Sequence, residues 1–227
     1  MRIKNILLLF ISAVLIMQLT SCLEFERNIK INPDGSGSEK QRINIDRSFY
    51  DMMIMLVSSL DSGKTKGIRD SLYNHDDFVK KIRTDFENTP GVTLNNVEGV
   101  TNSDSSTSYF IDYDFNTINM LGKMTSTNPE GLGEDASKTE VIWEDKGKEI
   151  YFRIKYIPKD ENGQNNTGKD MAYMFEGKKM KINIEFPYEI KSCNAADYSG
   201  NTGHWVIGMK ELSEDSSLLM LEAVLKK

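Results

Sequence analysis

The chain has only two cysteines and two histidines, and that scarcity removes several kinds of chemistry at once. Cys22 and Cys193 allow at most one disulfide, and neither His75 nor His204 stands at the Cys/His spacing of a zinc site. No G-x-S-x-G nucleophile elbow occurs, which leaves serine hydrolase chemistry without a signature. Ser62-Gly63-Lys64-Thr65 ends like a phosphate-binding loop, but Ser58 occupies the place of the required first glycine. Asn32, Asp34, Ser36 and Gly37 begin like a calcium loop, yet Ile43 stands where its bidentate acid belongs, so a hairpin turn is the expectation. No cofactor and no metal are implied. Five prolines and 16 glycines in 227 residues exclude collagen and low-complexity linkers. No apolar run reaches the ~20 residues that span a bilayer as a helix, which argues against a multi-span transporter. The net charge of −6 is spread along the chain without a Lys/Arg block of the phosphate-neutralising kind, so nucleic acid is not an expected partner.

What is present begins at the N-terminus. Met1-Arg2-Ile3-Lys4-Asn5 is a short cationic region, Ile6 to Met17 is almost unbroken apolar sequence, and Leu19-Thr20-Ser21-Cys22 follows. This order is that of a secretory signal peptide. Its last four residues resemble the bacterial lipobox, in which the cysteine thiol is acylated and the chain is cut in front of it. The division expected is a lipoprotein signal peptide over 1–21 and a single domain over 22–227. Acylation of Cys22 would leave Cys193 as the only thiol, a residue that reads as a small buried hydrophobe rather than a nucleophile. Loss of residues 1–21 removes Arg2 and Lys4 and no acid, leaving 26 bases against 34 acids. A mature charge of −8 is repelled by anionic headgroups, so the acyl chains must do the anchoring. The resemblance places the protein in a bacterial envelope, membrane-bound by palmitate-type chains. Leu23 after the cysteine favours the outer membrane, facing the periplasm, in a two-membrane cell.

The mature sequence alternates strand and helix periodicities. Leu23, Phe25, Ile29 and Ile31 recur at period two, a turn follows at Asn32 to Gly37, and Ile43 and Ile45 mark a return strand. Asp46 is placed to cap a helix over Arg47 to Leu60 whose apolar residues nearly encircle it, so cover on several sides is expected. Asn74 is placed to cap a second helix carrying Phe78, Val79, Ile82 and Phe86, closed by Thr89-Pro90-Gly91. Strands are expected from Val92, over Tyr109 to Phe115, at Val141 to Trp143, Ile150 to Ile157, Met180 to Phe186, His204 to Met209 and Leu218 to Leu225, with a short helix at Ile118 to Leu121. The fold class predicted is α+β, a mainly antiparallel sheet with helices packed on one face.

The segment from Lys181 to Leu212, with Phe186-Pro187 closing a strand, Asn194-Ala195 in the next turn, Gly200-Asn201 and Trp205, resembles the LppM-type domain of bacterial lipoproteins. So do the opening strand ending in Pro33-Asp34-Gly35-Ser36-Gly37 and the run Asp112-Tyr113-Asp114-Phe115 before a short helix. The resemblance implies an envelope lipoprotein, with lipid or glycolipid binding as the expected role. Independently, the Met-rich helix offers an adaptable apolar lining, and the candidate liners are Met52, Met53, Met55 and Leu56, with Met171 and Met174. Two other readings stand beside it. One is a structural subunit that docks on an envelope protein partner. The other is a hydrolase, which would need Asp112, Asp114 and His204 in one cleft.

Overall fold

The computed structural model describes residues 23–60, 74–125, 138–157, 175–214 and 219–227. Cys22, Ser62 to Thr65, the acidic stretch 160–170, Met171 and Met174 lie outside the described residues.

Among the described residues, eleven strands and four helices follow in the order β1 (Leu23–Ile31), β2 (Gly37–Ile45), α1 (Arg47–Leu60), α2 (His75–Glu87), β3 (Val92–Thr101), β4 (Thr107–Phe115), α3 (Asn119–Thr125), β5 (Lys138–Asp145), β6 (Glu149–Ile157), β7 (Lys179–Glu185), β8 (Glu189–Cys193), β9 (Asp197–Ser199), β10 (Thr202–Gly208), α4 (Met209–Glu214) and β11 (Met220–Lys226). They form two sheets, one in the order β3-β4-β2-β1-β7-β10-β9 and a smaller one in the order β5-β6-β11-β8. Every pairing is antiparallel except β1 with β7.

Period-two patterning decides which side each strand buries. On β1, Arg27, Ile29 and Ile31 are buried while Glu24, Asn28 and Lys30 face solvent. On β4, Tyr109, Ile111, Tyr113 and Phe115 are buried and Asp114 is exposed. The smaller sheet contributes Ile150, Phe152 and Ile154 from β6 and Leu221, Ala223 and Leu225 from β11 to the same core. The two sheets interlock through rings: Phe152 meets Phe186 edge-on at 5.0 Å, and Phe186 meets Trp205 at 6.5 Å. Pro187, directly after Phe186, sits in the short connection that carries the chain from β7 in the larger sheet to β8 in the smaller.

Two hairpin turns in the larger sheet share one plan. Asn32 N donates to Ser36 O and Asn102 N to Ser106 O, both at 2.8 Å, while Asp34 and Asp104 each accept from the backbone N–H two residues on at 3.0 Å. The left-handed position is held by Gly35 in one and by Ser105, at φ 67°, in the other. The 32–36 segment is thus a hairpin turn, as the residue at position 43 implied. Hydrogen bonds from Ser36 and Ser106 hold the Asp34 and Asp104 carboxyls below their ordinary range.

Several expectations are corrected. The fold is α+β and mainly sheet, but the helices are not gathered on one face: α2 packs on β3, α3 on β5 and α4 on β10. The cover expected from helices is largely supplied by a second sheet, because β6 and β11 carry enough buried apolar side chains to form a layer of their own. Helix α1 buries Tyr50 and Ile54, yet Met55 is 73% exposed, so the helix is not covered all round. Asp46 does accept from Ser48 N at 2.8 Å, as a cap should. Asn74 makes no side-chain cap bond; its amide donates to Asp77 Oδ2 at 2.7 Å instead.

Candidate functional site

Strand register assembles a site that no local stretch of sequence shows. Gly99, Tyr109, Ile43, Phe25, Met180 and Ile207 lie directly opposite one another across neighbouring strands and share the core-side face of the larger sheet. Most residues in the deeper rows of this face are buried, Arg27, Ile29, Ile111, Ile182 and Trp205 among them, whereas Ile43, Phe25, Met180 and Ile207 are only half-buried. This apolar row lies near the Leu23 end of β1, opposite the Asn32–Ser36 turn.

Helix α1 is seated beside it. Tyr50 Oη lies 3.5 Å from Tyr109 Oη, and Phe49 meets Phe175 with ring centroids 6.2 Å apart. Tyr109 is further fixed by His75 Nδ1 at 2.9 Å and by the Phe78 ring at 4.2 Å. Burial, then the hydrogen bond with Tyr50, pushes the Tyr109 phenol far above its ordinary range, so it stays neutral. Of the predicted liners, Met52 is half-buried and Met55 points to solvent. The side chains of Met53 and Leu56, and all of Met171 and Met174, lie outside the described residues. Where α1 is described, Tyr50 and Ile54 occupy the side that faces the fold. One cleft of about 220 Å³ lies elsewhere, on the smaller sheet beside Tyr151, Cys193, Asn194 and Glu222.

Behind the apolar row lies a buried polar cluster that the sequence did not announce. Glu39, 0% exposed, receives Arg27 Nε at 2.5 Å and Arg27 Nη2 at 2.9 Å, a bidentate pair. Gln41 Nε2 donates to Glu39 at 2.9 Å, and the Tyr113 hydroxyl donates to the same carboxylate. Burial alone would lower the Arg27 guanidinium, but the Glu39 charge and hydrogen bonds outweigh it and hold Arg27 firmly protonated. Burial, then the Glu39 charge, raises the Tyr113 phenol well above its ordinary value. The available signal was parity: Arg27 and Glu39 fall in the inward phase of β1 and β2, where an unpaired charge would be intolerable.

The residues a hydrolase would need are not brought together. Asp112 pairs with Lys40 at 3.5 Å and Asp114 accepts from Asn95 at 3.1 Å on β4, while His204 on β10 lies 2.9 Å from Asn183 Oδ1. Strands β4 and β10 are four steps apart in the sheet, roughly 19 Å at ~4.8 Å per step. Among the described residues no group of three or more His, Cys, Asp and Glu could hold a metal. Cys193 is a free, half-buried thiol packed against the core. No helix among the described residues is long and apolar enough to cross a membrane.

Asn194, singled out by its turn position, is a joint between the two sheets. Its Oδ1 accepts from Trp205 Nε1 and from Glu222 N, both at 2.8 Å, and its amide donates to Met220 O at 2.8 Å.

No family model matches the sequence, and no curated protein matches it. Among solved structures the chain is similar to the folded domain of Mycobacterium tuberculosis LppM, with 12% sequence identity, 90% of each chain covered and a TM-score of 0.47.

Proposed function

We propose that this chain is a non-enzymatic lipoprotein of the bacterial envelope, anchored through Cys22, which binds a lipid or other amphiphile at the Leu23 end of its larger sheet. The observation that carries the reading is the half-buried apolar row Ile43, Phe25, Met180 and Ile207, flanked by the Met-bearing helix α1. Buried apolar area is what holds an amphiphile, at about 25 cal/mol per Å², and an incompletely covered row is where such area remains available. Location supports the same end. Strand β1 begins at Leu23, one residue after the cysteine, and an extended residue reaches only about 3.5 Å, so an acylated Cys22 would hold this end of the sheet against its membrane. The outer membrane, facing the periplasm, is the location we propose for a two-membrane cell.

Native mass spectrometry of the full chain extracted from envelopes in mild detergent tests the reading. Lipid should be retained by the native protein, and Ile207→Asp should reduce retention about tenfold, equivalent to 1.4 kcal/mol, because the charge is introduced within the apolar row. Ile207 is only half-buried, and the charge-state distribution in the same spectrum reports that the variant is folded. An unliganded native protein, or equal retention by the variant, would overturn the proposal. A stoichiometric protein adduct on crosslinking in cells would favour the structural-subunit reading instead.

A further inference from the structure

At the Leu23 end of β1 and β7 the structure holds a second feature, a cleft of about 150 Å³. That is roughly ten times the ~15 Å³ needed for one water molecule. Its charged lining comprises Arg42, Lys178, Lys179 and Lys181 against Glu24 and Glu26. Sequence patterning underrates this cluster. Lys178-Lys179-Met180-Lys181 is short, and the fourth cation arrives from β2 by pairing, since Arg42 and Lys181 both stand opposite Glu26 on β1.

Lys178 is the informative member. It is 8% exposed, it lines the cleft, and among the described residues its ammonium has neither a hydrogen-bond acceptor nor a carboxylate partner. The acid nearest in sequence, Glu176, is paired with Lys210 at 3.7 Å. Arg42, Lys179 and Lys181 likewise have no carboxylate within 4.0 Å among the described residues, and Arg42 lies over the Phe110 ring at 5.9 Å. The backbone at Lys178 is held on both sides: its N–H donates to Phe175 O at 3.0 Å, and its carbonyl accepts from Met209 N at 2.9 Å. Gly177, at φ 71°, supplies the left-handed residue that this turn needs. Lys178 as a whole is largely withdrawn from solvent, but its ammonium keeps access to the cleft and stands there without a counter-charge, which an entering anion would supply. Four cations against two acids give the cleft the sign to attract one, although the domain as a whole is acidic.

We infer that this cleft binds a phosphate group, with Lys178 as its central contact and Arg42, Lys179 and Lys181 around it. Lysine serves phosphate as a point charge on a flexible stem, and a tetrahedral anion accepts from several directions at once. Resting on the lipoprotein reading above, the cleft lies at the depth of the headgroups, and the phosphodiester of an anionic phospholipid is the nearest source. It would orient the domain on its own anchor from the outer face of the sheet, because Glu26, Arg42 and Lys181 alternate with Phe25, Ile43 and Met180 and so lie on the face opposite to the apolar row.

The test uses the full chain in neutral detergent micelles. Inorganic phosphate is titrated while the amide signals of Gly177 to Lys181 are followed, and phosphatidylglycerol or phosphatidylcholine is added to the micelles while retained lipid is counted by native mass spectrometry. Lys178→Met keeps the buried stem and should retain the fold. It is expected to weaken phosphate binding and phosphatidylglycerol retention by about tenfold or more, whereas Lys226→Met, on the smaller sheet, should change neither. Lys178-dependent retention of phosphatidylglycerol over phosphatidylcholine identifies the headgroup as source, and Lys178-dependent binding of inorganic phosphate alone identifies free phosphate. Absence of both, or indistinguishable behaviour of Lys178→Met and native protein, overturns the inference. The phosphate arm does not depend on acylation, so an unmodified Cys22 would remove the lipoprotein reading without touching this result.

Discussion

Arg27→Met will destabilise the domain by about 3–5 kcal/mol, measured by chemical denaturation. The side chain removed is the bidentate partner of Glu39, which is wholly buried and would be left with only Gln41 and Tyr113 as donors. Transfer of an uncompensated carboxylate out of water is the dominant cost, well beyond the loss of two hydrogen bonds. The same physics predicts an asymmetry. Arg27→Met with Glu39→Met removes both charges, and the pair should recover most of the lost stability, because a buried ion pair is often no better than apolar side chains of similar volume. A single substitution costing under about 1 kcal/mol would mean that the cluster is hydrated in solution.

Phe186→Ala should cost about 3–5 kcal/mol for a different reason. Phe186 is 1% exposed and stands between Phe152 of the smaller sheet and Trp205 of the larger, so truncation opens a cavity at the junction of both layers. Neither ring can follow the gap far, since Trp205 is tied to Asn194 at 2.8 Å and Phe152 lies within paired strand β6. Heat capacity and denaturant dependence should remain those of one cooperative unit. Separate transitions for the two sheets would show instead that the junction does not couple them.

The parts of this fold legible in the sequence are those set by short-range patterning. Ile29 and Ile31 on β1, Tyr109 to Phe115 on β4 and Ile150 to Ile154 on β6 alternate strongly enough to declare both strand and buried face. The 32–36 turn follows from Pro33, Asp34 and Gly35 in the same way. What was not legible depends on which strand pairs with which. Strands β8 and β9 are five and three residues long and mostly exposed, so they carry almost no periodic signal. The division into two sheets follows from β11 pairing with β6 and β8 rather than with the opening hairpin, and nothing within Met220 to Lys226 states that choice.

The candidate site divides along the same line. Met52 and Met55 were visible as a Met-rich helical run, but their exposure was not, because a helix with apolar residues all round does not say which of them its neighbours will cover. The apolar row from Ile43 to Ile207 is drawn from four strands, and the basic cleft joins Arg42 to a lysine run 136 positions later. Arg27 and Glu39 were readable only by taking the inward phase seriously at charged positions, where composition suggests solvent.

The most direct measurement is the intact mass of the chain extracted with detergent from envelope membranes, alongside labelling with palmitate in growing cells. Anchoring at Cys22 predicts a chain that starts at Cys22, carries acyl chains on that residue and incorporates label, and a Cys22→Ala variant that does neither and leaves the membrane fraction. An unmodified Cys22, or a Cys22→Ala variant that fractionates with the native protein, would contradict it.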